Sequence, residues 1–148
     1  MIRLNEHIWI GDSYDERCAD LASSGIGAIL NVAIDLQGSR GCGSRIDYMQ
    51  VGLIDGPGNT LGAYYAAVIA LTVLIERHSQ VLVCCHSGGR AMAISIMYMD
   101  FVTGLGWDGC VGAMSERVDA VLPTPHEAHR AAHGKIRWGP IKIILESK

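Results

Sequence analysis

The 148-residue sequence has few charged residues and no excess of positive charge. Asp, Glu, Lys and Arg make up 18% of the residues, and the formal net charge is −3. No global positive field therefore attracts nucleic acid or an anionic membrane, so any anion site must be local. Because the net charge is negative, we do not expect the protein to bind nucleic acid through bulk electrostatic attraction.

The sequence also lacks a long apolar run and a signal peptide pattern. It has no stretch of about 18 uninterrupted apolar residues, because even AYYAAVIALTVLIERH becomes charged after Ile75. The N-terminal MIRLNEHIWIGD does not follow the basic, apolar, small-residue order of a signal peptide. Five cysteines, two of them consecutive, make a poor disulfide framework. We therefore expect a cytoplasmic protein without a membrane partner.

Apolar patterns predict alternating strands and helices within a single domain spanning residues 1–148. The predicted strands are HIWIG, IGAILNVA, YMQVGLI and QVLVC, of which the last is the strongest candidate for a central strand. A first helix is predicted after Ser13, which forms a capping box with Glu16. Three further helices are predicted over 61–77, 90–102 and 107–121. A last short helix is predicted in HEAHRAAHG, with Gly134 as its C-cap. The tail PIKIILESK fits either a strand or a docked extension. This order predicts an α/β fold with a mainly parallel central sheet flanked by helices, and a ligand site beyond the carboxyl ends of the strands.

Residues 81–95, VLVCCHSGGRAMAIS, place two consecutive cysteines before a short glycine-bearing loop that ends at Arg90. A strand, a small-residue loop and a helix direct several backbone N–H groups and the positive end of the helix dipole at one point, which favours an anion. A cysteine there becomes a nucleophilic thiolate, and a guanidinium binds two oxygens of a phosphate-like group. The pattern therefore predicts a phosphoryl-transfer site. The predicted phosphate-binding residues are Cys85, His86, Ser87, Gly88, Gly89 and Arg90.

Six segments, in order, resemble the dual-specificity branch of the protein tyrosine phosphatases over nearly the whole chain. They are IWIGDS, GIGAILNVA, VGLIDGPGN, the loop from Cys84 to Arg90, RAMAISIMYM and MSERVDAVLPTP. The family's loop is a cysteine, five residues and an arginine, which is the spacing from Cys84 to Arg90. The resemblance implies a three-layer α/β arrangement, Cys84 as nucleophile, Arg90 as phosphate clamp and Asp55 as the acid that protonates the leaving oxygen. It implies no metal and no other cofactor.

The loop departs from the family pattern, and the departures leave two registers open. Counted from Cys84, the positions where the family usually has histidine, glycine and serine or threonine hold Val83, Ser87 and Ala91. Counted from Cys85, Gly88 falls on the expected glycine, but the loop CHSGGR is one residue short and is similar to that of rhodanese-like sulfurtransferases.

Loop length sets how many amides encircle a phosphate, whereas Ser87 adopts a positive φ at a cost of about 1 to 3 kcal/mol. On this ground we favour Cys84 over Cys85 as the nucleophile. In either register Ala91 lacks the hydroxyl that would stabilise a departing thiolate. This absence predicts a slow second step.

The expected function is that of a phosphatase acting on phosphotyrosine, and on phosphoserine or phosphothreonine, through a phosphocysteine. Its partner would be a phosphorylated protein or another phosphomonoester, and the sequence leaves the oligomeric state open. Two alternatives stay open: a phosphate-binding pseudophosphatase module, and a sulfurtransferase that uses Cys85.

Three histidines of the predicted helix after residue 125 fall on one helix face. His126, His129 and His133 have the spacing i, i+3 and i+7, which is compatible with a metal patch. No cysteine or suitably placed carboxylate completes a tetrahedral ligand set. We therefore expect a solvated helix face and no metal site.

Overall fold

The computed structural model describes residues 1–13, 15, 21–36 and 46–146, which form a five-stranded sheet in the order β1-β2-β5-β3-β4. The strands are β1 Ile2–Arg3, β2 Ile8–Gly11, β3 Ala28–Ala33, β4 Asp47–Leu53 and β5 Val81–Cys84. The edge strand β1 is antiparallel to β2, and the other neighbouring strands are parallel. The predicted α/β fold with a mainly parallel sheet is confirmed, as is the central place of the strand in QVLVC.

Five helices accompany the sheet in the described part of the chain. They are α1 Leu61–His78, α2 Gly89–Thr103, α3 Gly106–Arg117, α4 Glu127–His133 and α5 Gly139–Glu146. The side chain of Thr60 accepts a hydrogen bond from the Ala63 amide at the start of α1, which satisfies one of the unpaired amides of the first turn. Among the described residues, no helix has both the length and the apolar character needed to span a bilayer.

The two faces of the sheet bury separate sets of apolar side chains. Val81 and Val83 of β5 join the larger core, which includes the buried faces of α1 and α2. Leu82 and Cys84 join a smaller cluster on the other face with Leu21, Ile26 and Ile29. This division follows from the alternation of side chains along a strand, and it places consecutive residues in different surroundings.

Two predicted helices differ from the observed ones. The helix predicted over 107–121 ends at Arg117, because Val118 has an extended backbone with φ −109° and ψ 121°, and Val121 is 94% exposed. The chain bends at residues 119 and 120 and continues without regular structure to Pro123, which lies beside the loop after β5. The helix predicted after Ser13 lies mostly outside the described residues, which show a 3-10 turn at Ala22–Ser24. The tail segment, for which a strand or an extension was considered, forms α5.

Candidate active site

The loop after β5 is shaped by Gly88. This residue is the N-cap of α2 and has φ 93° and ψ −13°, a left-handed backbone conformation that residues with a Cβ rarely adopt. A Cβ at Gly88 would also lie 2.9 Å from Cγ of Pro123. The positive φ expected for Ser87 in the Cys84 register is therefore found at Gly88 instead. This is the glycine position of the Cys85 register.

The two consecutive cysteines face opposite sides of the sheet. Cys84 is the last residue of β5 and is fully buried in the cluster with Leu82 and Ile29. Cys85 belongs to the larger core, on the face that carries α2. The strand alternation thus places the Cys84 side chain away from the loop, which argues against the nucleophilic role expected for it.

The sulfur that meets the loop amides is that of Cys85. Its Sγ accepts hydrogen bonds from the Gly88 amide at 3.1 Å and from the Ala91 amide at 3.4 Å. Both donors belong to the start of α2, where unpaired amides and the helix dipole provide partial positive charge. This environment stabilises negative charge on the sulfur, which is what a thiolate nucleophile requires.

The Arg90 guanidinium is buried beside the same loop. Its exposed fraction is 3%, and Nη1 donates both to Oδ1 of Asp35 at 2.7 Å and to the Leu53 carbonyl at 2.8 Å. The hydrogen bond from Arg90 is the main reason that the pKa of Asp35 lies below its ordinary value. Among the described residues, these bonds engage Nη1 and leave the edge formed by Nε and Nη2 for an anion.

Asp35 was not predicted as a site residue, although the sequence contains a signal for its turn. Asn31 is a buried polar residue within the apolar strand β3. Its Oδ1 accepts from the Ala33 amide at 2.9 Å, and its Nδ2 donates to the Leu36 carbonyl at 2.7 Å. These bonds fix the turn that carries Asp35, because a buried amide side chain has to be satisfied.

His86, one of the predicted phosphate-binding residues, lies against the same carboxylate. Its Nε2 is 3.4 Å from Oδ2 of Asp35 and 3.3 Å from the Asp35 carbonyl oxygen. Asp35 therefore links two of the predicted phosphate-binding residues, Arg90 and His86. Its negative charge offsets part of the positive charge that Arg90 brings to the loop.

Asp55, the predicted acid, shares a hollow with the loop. The hollow has a volume of about 390 Å³ and is lined by Asp55, Ser87, Gly89, Pro123, Thr124 and His126. The Asp55 side chain is about half exposed. The fold therefore brings a carboxylate from the turn after β4 into one hollow with Ser87 and Gly89 of the loop after β5, and the acid role that the resemblance implies for Asp55 stays a proposal.

The expectation of a solvated histidine face on α4 is wrong. His129 is fully buried, with Nδ1 2.7 Å from the Tyr64 hydroxyl. His133 is mostly buried, and its Nε2 lies 2.8 Å from Oδ2 of Asp100. The error arose because helical spacing shows that residues share a face but does not show what covers that face. Within the described ranges, no three metal-ligating side chains lie together in a possible metal group.

Comparison with solved structures identifies the fold. The chain superposes on human DUSP28 with a TM-score of 0.78 and 15% identity, covering 100% of both chains. It superposes on DUSP15 with a TM-score of 0.80 and 20% identity, covering 99% of this chain and 94% of that one. For the human tyrosine phosphatase-like serine/threonine/tyrosine-interacting protein the TM-score is 0.75 at 16% identity, with 97% of each chain covered. No family model matches the sequence, and no curated protein matches it. The chain therefore has the fold of the dual-specificity phosphatases.

Proposed function

We propose that this protein is a cysteine-based phosphatase whose nucleophile is Cys85. The observation that carries the proposal is the pair of amide donors, from Gly88 and Ala91, that converge on Cys85 Sγ at the start of α2. The fold of the dual-specificity phosphatases supports it. The proposed substrates are phosphotyrosine and phosphoserine or phosphothreonine in phosphorylated proteins.

The first step transfers the phosphoryl group to sulfur. The Cys85 thiolate attacks phosphorus, the bond from phosphorus to the leaving oxygen breaks, and the Asp55 carboxyl gives its proton to that oxygen. The Nε and Nη2 edge of Arg90 binds two non-bridging oxygens, whose charge the loop amides also stabilise. General acid catalysis of this kind contributes typically about 10²- to 10⁴-fold.

The second step returns the enzyme to its starting state. The Asp55 carboxylate takes a proton from water, the water oxygen attacks phosphorus, and the bond from phosphorus to sulfur breaks to give inorganic phosphate and the thiolate. Ala91 follows Arg90 and offers no hydroxyl to the departing sulfur. We therefore propose that breakdown of the phosphocysteine limits turnover.

Loop length favours a second candidate function, sulfur transfer. Four residues separate Cys85 from Arg90. A shorter loop encircles a smaller group than a phosphate, and the resemblance to the rhodanese-like loop rests on this spacing. In that case the Cys85 thiolate would attack the sulfane sulfur of thiosulfate, the S–S bond of the donor would break to release sulfite, and Cys85 would carry the sulfur as a persulfide.

Three cysteine variants test the proposed function. We expect hydrolysis of an aryl phosphate by the natural protein, loss of that activity to background in Cys85→Ser, and retention of it in Cys84→Ser. Cys110→Ser is the matched control, because Cys110 is also buried but lies in α3. Loss of activity in Cys84→Ser alone would contradict the assignment. A natural protein that binds phosphate without turnover would indicate a binding module, and a persulfide on Cys85 after treatment with thiosulfate would indicate sulfur transfer.

A further inference from the structure

His129 contains a buried polar atom without a hydrogen-bond partner. Its side chain has no exposed surface, and among the described residues its Nε2 is the one buried side-chain nitrogen or oxygen that makes no hydrogen bond. Buried polar groups are nearly always paired in folded proteins, so an orphaned one at a candidate active site requires an explanation. Oδ1 of Asp55 lies 3.7 Å from this nitrogen.

The contacts of Asn59 determine which nitrogen of His129 carries the proton. Asn59 Oδ1 accepts from the Ile54 amide at 2.8 Å, and Nδ2 donates to the Ile54 carbonyl at 2.9 Å, so the orientation of this side-chain amide is fixed. Its Nδ2 also donates to the Tyr64 hydroxyl at 3.3 Å. We therefore assign the proton of this hydroxyl to its bond with Nδ1 of His129, 2.7 Å away. A neutral ring that accepts at Nδ1 carries its hydrogen on Nε2.

The neutral form of His129 is the one that its surroundings favour. Burial lowers the pKa of His129, although the nearby Asp55 carboxylate partly opposes this. The groups that face Asp55 and His129 are His126 from the start of α4 and the Arg90 guanidinium from α2, and positive charge on either one lowers the pKa of His129 further. The Nε2–H group is therefore a neutral donor directed at the carboxyl of Asp55.

The distance from His129 Nε2 to Asp55 Oδ1 exceeds a hydrogen bond by less than 1 Å. Asp55 is about half exposed and precedes Gly56 and Gly58, which have φ values of 139° and 110°. A rotation of the Asp55 side chain brings Oδ1 within hydrogen-bond distance, since N–H donors bond to oxygen at about 2.7 to 3.2 Å. The other carboxyl oxygen then remains available to the hollow that Asp55 shares with the loop after β5.

We propose that His129 is a positioning residue for the acid Asp55, a role that rests on the proposed phosphatase function. The Nε2–H group donates to Oδ1 and so directs Oδ2 at the leaving oxygen. The ring keeps its proton in both steps, because Oδ1 accepts from it whether Asp55 is protonated or ionised. Tyr64 and Asn59 maintain the required form of the ring.

The test compares two phosphate esters as substrates of the natural protein and of His129→Phe. Phenyl phosphate has a poor leaving group that needs a proton, whereas 2,4-dinitrophenyl phosphate leaves without one. We measure kcat/KM, which reports formation of the phosphocysteine and is insensitive to slow breakdown. We expect His129→Phe to lower kcat/KM for phenyl phosphate by about 10- to 100-fold, part of the contribution of an acid catalyst, and to lower it less than about threefold for the dinitrophenyl ester.

Two further variants separate positioning from a general structural effect. His129→Gln keeps an N–H donor near the site of Nε2 and should restore part of the phenyl phosphate activity. His133→Gln changes a histidine of the same helix that bonds to Asp100, and it should leave the ratio of the two esters unchanged. An equal loss for both esters in His129→Phe, or no loss, would overturn the role of His129. A natural protein that cleaves neither ester would overturn the proposed function itself, and the positioning role with it.

A spectroscopic measurement covers the case in which His129→Phe fails to fold. Nitrogen-15 NMR of the natural protein distinguishes a ring protonated at Nε2 from one protonated at Nδ1. We expect His129 to be the Nε2–H form, and we expect Tyr64→Phe to mix the two forms and to impair phenyl phosphate cleavage selectively. Finding the Nδ1–H form in the natural protein would refute the proposal.

Discussion

Arg90 and Asp35 form a charge pair at the base of the candidate active site, with Nη1 of the arginine 2.7 Å from Oδ1 of the aspartate. The arginine is buried and the aspartate is more than half exposed. The pair holds the guanidinium in place beside the loop, but it also puts a negative charge next to the group that is proposed to bind a dianion.

Removing that charge should strengthen phosphate binding. In Asp35→Asn we expect the inhibition constant of inorganic phosphate to fall by about tenfold. Unscreened Coulomb repulsion between the Asp35 carboxylate and a bound phosphate would give a larger effect. Water and salt reduce it, because this carboxylate is exposed. Competitive inhibition of aryl phosphate hydrolysis measures it. The control is Asp108→Asn, which removes a carboxylate paired with Arg130 outside the site, and an equal effect there would contradict the explanation.

Gly88 should tolerate no side chain. Gly88→Ala imposes a Cβ on a backbone with φ 93° and brings that atom within 2.9 Å of Pro123 Cγ. We expect a loss of about 1 to 3 kcal/mol in the free energy of unfolding, measured by urea denaturation. Gly112→Ala is the matched control, because Gly112 lies inside α3 with open space around it. That variant should instead gain about 0.5 to 1 kcal/mol. Equal stability of the two variants would show that the left-handed backbone at Gly88 carries no strain.

A hydroxyl at position 91 should speed breakdown of the phosphocysteine. The Ala91 amide already donates to Cys85 Sγ at 3.4 Å, so Ala91→Ser adds a hydroxyl to a residue that is in contact with the sulfur. Rapid mixing with an aryl phosphate should show a burst of released phenol in the natural protein. In the variant the steady rate after the burst should rise by about tenfold, which is less than the roughly 10²- to 10³-fold effect of a fully optimised oxyanion donor. An unchanged steady rate would mean that sulfur departure is not the limiting event.

Acid should destabilise the protein through Asp100. Burial alone would raise the pKa of Asp100, but hydrogen bonds from Trp138, His133 and the Gly106 amide outweigh it and hold the pKa below the ordinary value of 3.8. A carboxyl whose pKa is lower in the folded than in the unfolded protein stabilises the fold at pH values above its unfolded-state pKa. That stabilisation is lost as the pH falls through the lower, folded-state pKa. The free energy of unfolding of the natural protein should therefore decline over this acid range.

Asp100→Asn isolates the contribution of this carboxylate. Its free energy of unfolding should be lower at neutral pH and should fall less steeply over the same acid range. Fluorescence of Trp138, whose Nε1 lies 2.9 Å from Oδ2 of Asp100, follows both the local change and unfolding. Identical acid slopes for the natural protein and the variant would assign the pH dependence to other carboxylates.

Local patterns were sufficient to predict the sheet and the position of the loop. The apolar runs at 28–33 and 81–84 are buried strands. The interest in Asp55, which lies in a hollow with residues of the loop after β5, came from the family resemblance and not from a local pattern. The expectation of Cys84 rather than Cys85 as the nucleophile relied on spacing to Arg90, and the burial of Cys84 on the opposite face of the sheet argues against it. The alternation of side chains along β5, which assigns Val83 and Cys85 to the same face, was the stronger constraint.

Other site residues depend on contacts between distant segments, which local patterns do not contain. Tyr64 and His129 are in hydrogen-bond contact although they are 65 residues apart in the sequence, and Arg90 contacts Asp35, 55 residues away. The signals present in the sequence were polar residues within apolar surroundings, such as Asn31 in β3. Such a residue indicates that a partner exists but does not identify it.

The left-handed turn at Gly88 also fixes where the loop after β5 joins α2. Gly88 stands three residues after Cys85 and two before Arg90, so only Gly89 separates the turn from the arginine. Lengthening the loop by one glycine at that junction would move the first turn of the helix outward and enlarge the space above the sulfur.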